Sequence, residues 1–224
     1  MIKKNVFCIL GVIASVLFTA EPVFAGSAEY EARLRKIIIP NFVIYEDLHT
    51  FSEVITELGK QAKENAPAGI NLIVLPGGEN AEIASYSAPK TSVYDILSDL
   101  QGRGDLDFRI CENMVLVAPA KVKLKNIPPV KTVGDCRNML KKMDETLFPA
   151  VDFVQVEMEA VLHFLRNRNT EIQISVIQSE NSKEKFLTLE LHDVTLRQLL
   201  DCICLLTGSR YEVMPGRIRF FIDN

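Results

Sequence analysis

Two stretches decide the reading of this chain: VYDILSDL at residues 93–100 and LRQLLDCI at residues 196–203. In each, apolar side chains stand at positions 0, 3, 4 and 7. They are Val93, Ile96, Leu97 and Leu100 in the first, and Leu196, Leu199, Leu200 and Ile203 in the second. That spacing places four side chains on one face of an α-helix. The two helices are 103 residues apart.

The same offset continues downstream. Phe108 and Ile110 match Tyr211 and Val213, and Val115 and Val117 match Ile218 and Phe220, all at 103. Each pair of alternating runs is interrupted by turn residues, Glu112-Asn113 in one case and Pro215-Gly216 in the other, so each reads as a hairpin. Upstream, Thr50-Phe51-Ser52-Glu53 is a capping box. It opens a helix whose apolar face is Phe51, Val54, Ile55, Leu58 and Ala62. Met158, Val161, Leu162 and Leu165 repeat that face 107 residues later. Further upstream, Ile39-Pro40 and Phe148-Pro149 precede the alternating pairs Phe42/Ile44 and Val151/Phe153, as half-buried strands require. Gly208 ends its helix as a left-handed cap.

The chain therefore reads as α+β: two tandem copies of a small helix-on-sheet sandwich, each in the order α-β-α-β-β-α-β-β. Elements are expected at 29–37, 42–45, 50–63, 71–75, 82–86, 92–100, 107–111 and 114–118, and again at 133–145, 151–154, 157–168, 171–177, 186–191, 195–207, 210–213 and 217–222. The modules span residues 29–119 and 133–224. Between them, residues 120–132 hold four lysines, no acid and Pro128-Pro129, which reads as a solvated connector or an edge strand. Phe42, Ile44, Leu58, Leu97, Phe153, Leu162, Leu200 and Phe220 are the expected core.

These residues resemble the secretin and TonB short N-terminal domain, in the tandem style of envelope proteins from planctomycete and verrucomicrobial bacteria. The stretch from Leu34 to Ile44, the capped helix, residues 69–74 and the hairpin of 106–117 carry the likeness in the first module. In the second it is carried by residues 147–153, 189–196 and 211–218. The resemblance implies a periplasmic module that contacts partner proteins or neighbouring subunits, without enzymatic residues. Because the sequence stops at Asn224 after the second hairpin, with no barrel, it also implies an accessory role rather than a pore.

The first 25 residues have the three parts of a secretory signal: Lys3 and Lys4, the apolar run 6–18, and Val23-Phe24-Ala25. Thirteen apolar residues are short of the roughly twenty a spanning helix needs. Cleavage is expected between Ala25 and Gly26, leaving 199 of the 224 residues and a periplasmic chain without a stable membrane span. Loss of Lys3, Lys4 and Glu21 makes the net charge one unit more negative than −4. Cys111, Cys136, Cys202 and Cys204 remain, an even number that permits disulfides. Their spacing favours buried free thiols, with Cys204 on the apolar face of its helix.

The composition, 25 basic against 29 acidic residues with 48% hydrophobic, is that of an ordinary globular chain and argues against a dedicated nucleic-acid binder. No catalytic, cofactor-binding or metal-ligating residues are assigned. His49, His163 and His192 lack H-E-x-x-H spacing; His49 and His192 read as loop residues and His163 as a helix flank. Pro76-Gly77-Gly78 lacks the lysine of a phosphate loop, Gly102-Arg103-Gly104 lacks a third glycine, and Glu157 and Glu159 sit on different helix sides. The expected function is non-enzymatic protein binding at sheet edges, to an envelope secretion partner or to copies of itself. The alternative is an exported enzyme with a site in the loops 76–81 and 178–185.

Overall fold

The capping box forms: the Glu53 N–H donates to Thr50 Oγ1 at 3.3 Å, and the Thr50 N–H to Glu53 Oε2 at 2.8 Å. Around it, the computed structural model describes residues 27–45, 49–66, 69–77, 81–122, 124, 130–168, 171–178 and 185–222. The expected signal peptide lies outside the described residues, as do Pro128 and Pro129.

The chain is α+β. Its first elements are α1 (Ser27–Lys36), β1 (Ile38–Ile44), β2 (His49–Thr50), α2 (Phe51–Asn65), β3 (Leu72–Val74), β4 (Glu82–Ile83), β5 (Tyr86–Ser92), α3 (Val93–Gly102), β6 (Leu106–Cys111) and β7 (Met114–Pro119). Then follow β8 (Lys131–Thr132), α4 (Arg137–Glu145), β9 (Leu147–Glu157), α5 (Met158–Arg168), β10 (Gln173–Gln178), β11 (Phe186–Thr195), α6 (Leu196–Thr207), β12 (Arg210–Met214) and β13 (Arg217–Ile222).

One sheet has the order β3-β7-β6 and another β10-β13-β12-β8. In the first, β3 runs parallel and β6 antiparallel to β7, with Phe108 opposite Val117. In the second, β10 runs parallel and β12 antiparallel to β13, with Tyr211 opposite Phe220. Three antiparallel ribbons complete the frame among the described residues, the shortest being β2 with β4. β1 pairs β5 with Phe42 opposite Ala88, and β9 pairs β11 with Val151 opposite Leu191. Lys90 and Asp193, across from Pro40 and Pro149, both take left-handed φ, at 50° and 51°. Proline offers no N–H to a ladder, and the pairing breaks at these positions.

Several boundaries differ from the sequence reading. The strand expected at 82–86 is split, with only Glu82–Ile83 in β4 and a longer β5 running into α3. β9 and β11 each exceed their expected 151–154 and 186–191, because each has a long partner, and exposed apolar residues such as Leu147, Val154 and Phe186 blur the alternation that would have marked their length. The helix expected from 133 begins at Arg137. Lys131–Thr132 instead forms β8 against Glu212 and Val213, and Gly134 turns the chain at φ +83°. Thus the end of the connector is an edge strand.

Every expected core residue is buried: Phe42, Ile44, Leu58, Leu97, Phe153, Leu162, Leu200 and Phe220. The core itself differs from two separate sandwiches. All of β7 is buried, and its side chains divide by pleat. Val115 and Val117 face a core made with α1, α2 and α3, while Met114, Leu116 and Ala118 face the core that contains α4, α5 and α6. Helix α6 is accordingly buried on more than the face of Leu196, Leu199, Leu200 and Ile203. Cys202, Cys204 and Leu205 are covered too, and Cys202 Sγ lies 3.5 Å from Met114 Sδ. In α3 only Val93, Ile96, Leu97 and Leu100 are buried. Each fully buried side chain of this size contributes roughly 1.5–3 kcal/mol, so the shared β7–α6 layer binds the two parts of the chain strongly.

Candidate functional site

Where the two cores meet, the chain carries its main polar constellation. Asn71 stands just before β3 in the otherwise apolar run from Ile70 to Leu75, and it is 3% exposed. Its side chain is fully used. Oδ1 accepts the His192 N–H at 2.8 Å, and Nδ2 donates to the carbonyls of His192 and Asn113 at 2.9 and 3.0 Å. Its own N–H donates to the Tyr30 hydroxyl at 2.8 Å. A single amide thus acts as a short strand partner for β11 and ties it to α1 and the β6–β7 turn.

Around this clamp, Asn113 Nδ2 donates to the Asp193 carbonyl at 2.8 Å, and Gln198 Nε2 donates to Glu112 Oε2. Lys63 pairs with Glu190 at 2.5 Å, which holds the Glu190 carboxyl below its usual range. Gly69 has φ +64°, and a Cβ there would come within 2.9 Å of the His192 ring, so both backbone and space demand glycine.

Beside the clamp opens a cleft of about 680 Å³. One wall is α1, through Glu29, Ala32, Arg33 and Lys36, which recur at helical spacing; the other is Glu112 and Asn113 of the β6–β7 turn with Asp193, Thr195 and Gln198. Arg33 Nη2 donates to the Gly69 carbonyl at 2.5 Å, anchoring the wall. Thr195 caps α6 with a second capping box, through Gln198.

The residues singled out from sequence are scattered. His49 lies in β2 opposite Ile83, and His192 lies inside β11 opposite Ala150, so both are strand residues rather than loop residues. His192 Nε2 is 3.1 Å from Glu190 Oε1, but among the described residues no hydroxyl or thiol is bonded to this pair. His163 is on the exposed side of α5 beside Asn167. Gly102 ends α3, and the Gly104 N–H donates to the Gln101 carbonyl as a helix terminus does. Of the loops 76–81 and 178–185, residues 78–80 and 179–184 lie outside the described residues. Among the described residues no group of His, Cys, Asp and Glu could hold a metal ion. Cys111, Cys136, Cys202 and Cys204 are buried, and none of them is in a disulfide.

One buried acid is strongly perturbed. Burial pushes the Asp201 carboxyl up to about 7, although it accepts the Tyr211 hydroxyl proton at 2.7 Å. It is enclosed between α6 and β12, three residues after Gln198 and within electrostatic reach of Glu112. No described helix is long and apolar enough to cross a membrane. No protein-family model, curated protein or solved structure matches the chain.

The sequence reading missed the cleft because its residues are polar and come from four separate elements. The available signals were Asn71 inside an apolar run and the second apolar face of residues 196–206.

Proposed function

We propose that the chain is an exported, periplasmic, non-enzymatic binding protein. In this reading, residues 29–119 and 133–224 are two modules similar to the secretin and TonB short N-terminal domain, accessory to an envelope secretion assembly. What supports the repeat is a constant register. Phe108 opposite Val117 becomes Tyr211 opposite Phe220, and Ile39 opposite Thr91 becomes Phe148 opposite Val194. The left-handed Lys90 and Asp193 are also 103 residues apart. Export rests on the charged, apolar and small-residue pattern of residues 1–25.

Binding occurs at a strand edge. β10 ends its sheet, paired only with β13 within it. Arg166 Nε takes the Ile174 carbonyl at 2.9 Å, while Ser175 and Ile177 remain exposed. An extended segment of a partner, or of a second copy, adds to such an edge through backbone hydrogen bonds. A photo-crosslinking residue in place of Ser175 should yield a discrete adduct with one envelope protein or a dimer in intact cells. Ile177→Lys, which places a charge on the edge, should abolish that adduct without changing the melting curve. Equal adduct in the Ile177→Lys background would defeat the edge reading.

A further inference from the structure

The cleft separates charge across a gap that its own side chains do not bridge. Arg33 and Lys36 occupy the last turn of α1. Glu112 and Asp193 stand on the opposite wall, and no ion pair joins either base to either acid among the described residues. Glu29 lies seven residues before Lys36, about 10 Å along the axis at 1.5 Å per residue. The basic end of the α1 wall is therefore distinct from its acidic end.

The acidic wall also carries an unmet demand. Asn113 Oδ1 is buried and has no hydrogen-bond partner. Its orientation is set, because Nδ2 donates to the Asp193 carbonyl and a flipped amide would oppose two oxygens. A buried acceptor without a donor is costly, so the turn that carries Glu112 is short of a donor beneath the acidic wall. On the other side, Arg33 spends one donor on Gly69, and a guanidinium has five. The remaining donors and the exposed Lys36 ammonium suit a carboxylate.

We infer that this cleft binds a small zwitterion of the amino-acid and short-peptide class, with its carboxylate toward Arg33 and Lys36 and its ammonium toward Glu112 and Asp193. The volume, about 680 Å³, lies within the range of roughly 300–1,000 Å³ typical of small-ligand sites. A lone anion would face three carboxylates, and a lone cation would leave the two bases that line the cleft, Arg33 and Lys36, unmatched. Because the ligand touches α1, the β6–β7 turn and the start of α6, it bridges the two cores and stabilises their docking. This site is independent of the β10 edge, and either can fail without the other.

The test is calorimetric titration of the purified chain with four probes: L-alanyl-L-alanine, its N-acetylated form, its C-terminal amide, and the doubly capped peptide. Saturable binding is expected for the free dipeptide, about tenfold weaker for each singly capped form and absent for the doubly capped one, roughly 1.4 kcal/mol per tenfold step. Free alanine in a fifth titration separates single amino acids from peptides as the natural source. Lys36→Gln should erase the difference between the free dipeptide and its amide while keeping the effect of acetylation. Asp193→Asn should do the reverse. Both positions are exposed, so their melting curves should match the parent. Equal binding by the doubly capped peptide, no saturation by the free dipeptide or alanine up to about 10 mM, or unaltered selectivity in both variants would overturn the proposal.

Discussion

Replacing Asn71 with alanine should loosen the junction between the two cores, and the size of the effect follows from three hydrogen bonds. The side chain holds the His192 N–H and C=O and the Asn113 carbonyl, all at 2.8–3.0 Å. A neutral hydrogen bond contributes about 0.5–1.5 kcal/mol net, and a partner left dry and unpaired costs about 1–3 kcal/mol. Asn71 is 3% exposed, but its partners are only part-buried, so water will reach some of them. The expected loss is roughly 2–5 kcal/mol, a large part of a typical total of roughly 5–15 kcal/mol. In urea, with a slope of about 1–3 kcal/mol per molar, the midpoint should fall by at least about 0.7 M. The chain has no Trp, so unfolding is followed by far-ultraviolet dichroism and by tyrosine emission. Tyr30 reports directly, because its hydroxyl accepts the Asn71 N–H. Asn71→Asp sharpens the test. It keeps an acceptor for the His192 N–H but turns a carboxylate toward two carbonyl oxygens, so it should be worse than alanine at pH 7 and should recover on acidification. A change under about 0.5 kcal/mol for Asn71→Ala, or an aspartate variant no worse than alanine, would refute the clamp.

Leu97→Ala and Leu200→Ala each open a cavity at a fully buried position and should each cost about 2–5 kcal/mol in the same titration. Asp201 gives a pH dependence whose sign is set by its raised carboxyl. The native state keeps its proton up to about pH 7, whereas the unfolded state loses it near 3.8, so the Asp201 contribution to stability is greatest below pH 4, falls from pH 4 to 7 and is flat above. Asp201→Asn, which can still accept from Tyr211, should flatten that slope and raise stability at pH 8 by up to roughly 4 kcal/mol; an unchanged pH profile would show that the carboxyl is not held protonated. Burial raises the Cys111 and Cys202 thiols, and neither these two nor Cys136 and Cys204 are in a disulfide. Iodoacetamide should therefore label none of them in the native chain and all of them in urea without reductant, and a missing adduct in peptide mass mapping would reveal a disulfide.

The fold was readable wherever burial is one-sided. A helix such as α3, buried only through Val93, Ile96, Leu97 and Leu100, writes its period directly into the sequence, as does β13 with alternate buried residues. Capping chemistry was readable too, since Thr50 with Glu53 and the left-handed Gly208 act locally. What sequence alone left out depends on long-range contact. The split of 82–86 and the length of β9 and β11 follow from partners that apolar spacing does not identify. The junction is subtler still, because Met114, Leu116 and Ala118 look like any apolar strand until α6 is placed against them. Asn71 and Asn113 carry no periodic signal, and only the fold brings them beside Asp193 and Arg33.

That long-range effect leads to a pair of opposite expectations at two positions with the same place in their sheets. Leu116 in β7 stands opposite Ile73, and Arg219 in β13 stands opposite Ser175, 103 residues later. Leu116 is fully buried because its face of the sheet packs toward α6. Arg219 is one-third exposed, with its guanidinium 3.8 Å from Glu212. Leu116→Arg would place a cation in the apolar core that Met114 and Ala118 share on the same face of β7. An unpaired buried charge belongs to the small group of substitutions that cost more than about 4 kcal/mol, so this variant should be recovered unfolded or with its two cores parted. Arg219→Leu removes only a partly screened contact at a solvent-facing position and should stay within about 1 kcal/mol of the parent. Circular dichroism melting of the two variants side by side measures both. If Leu116→Arg melted like the parent, the β7–α6 layer would not be the seam that joins the cores, and the cleft beside it would lose its second wall.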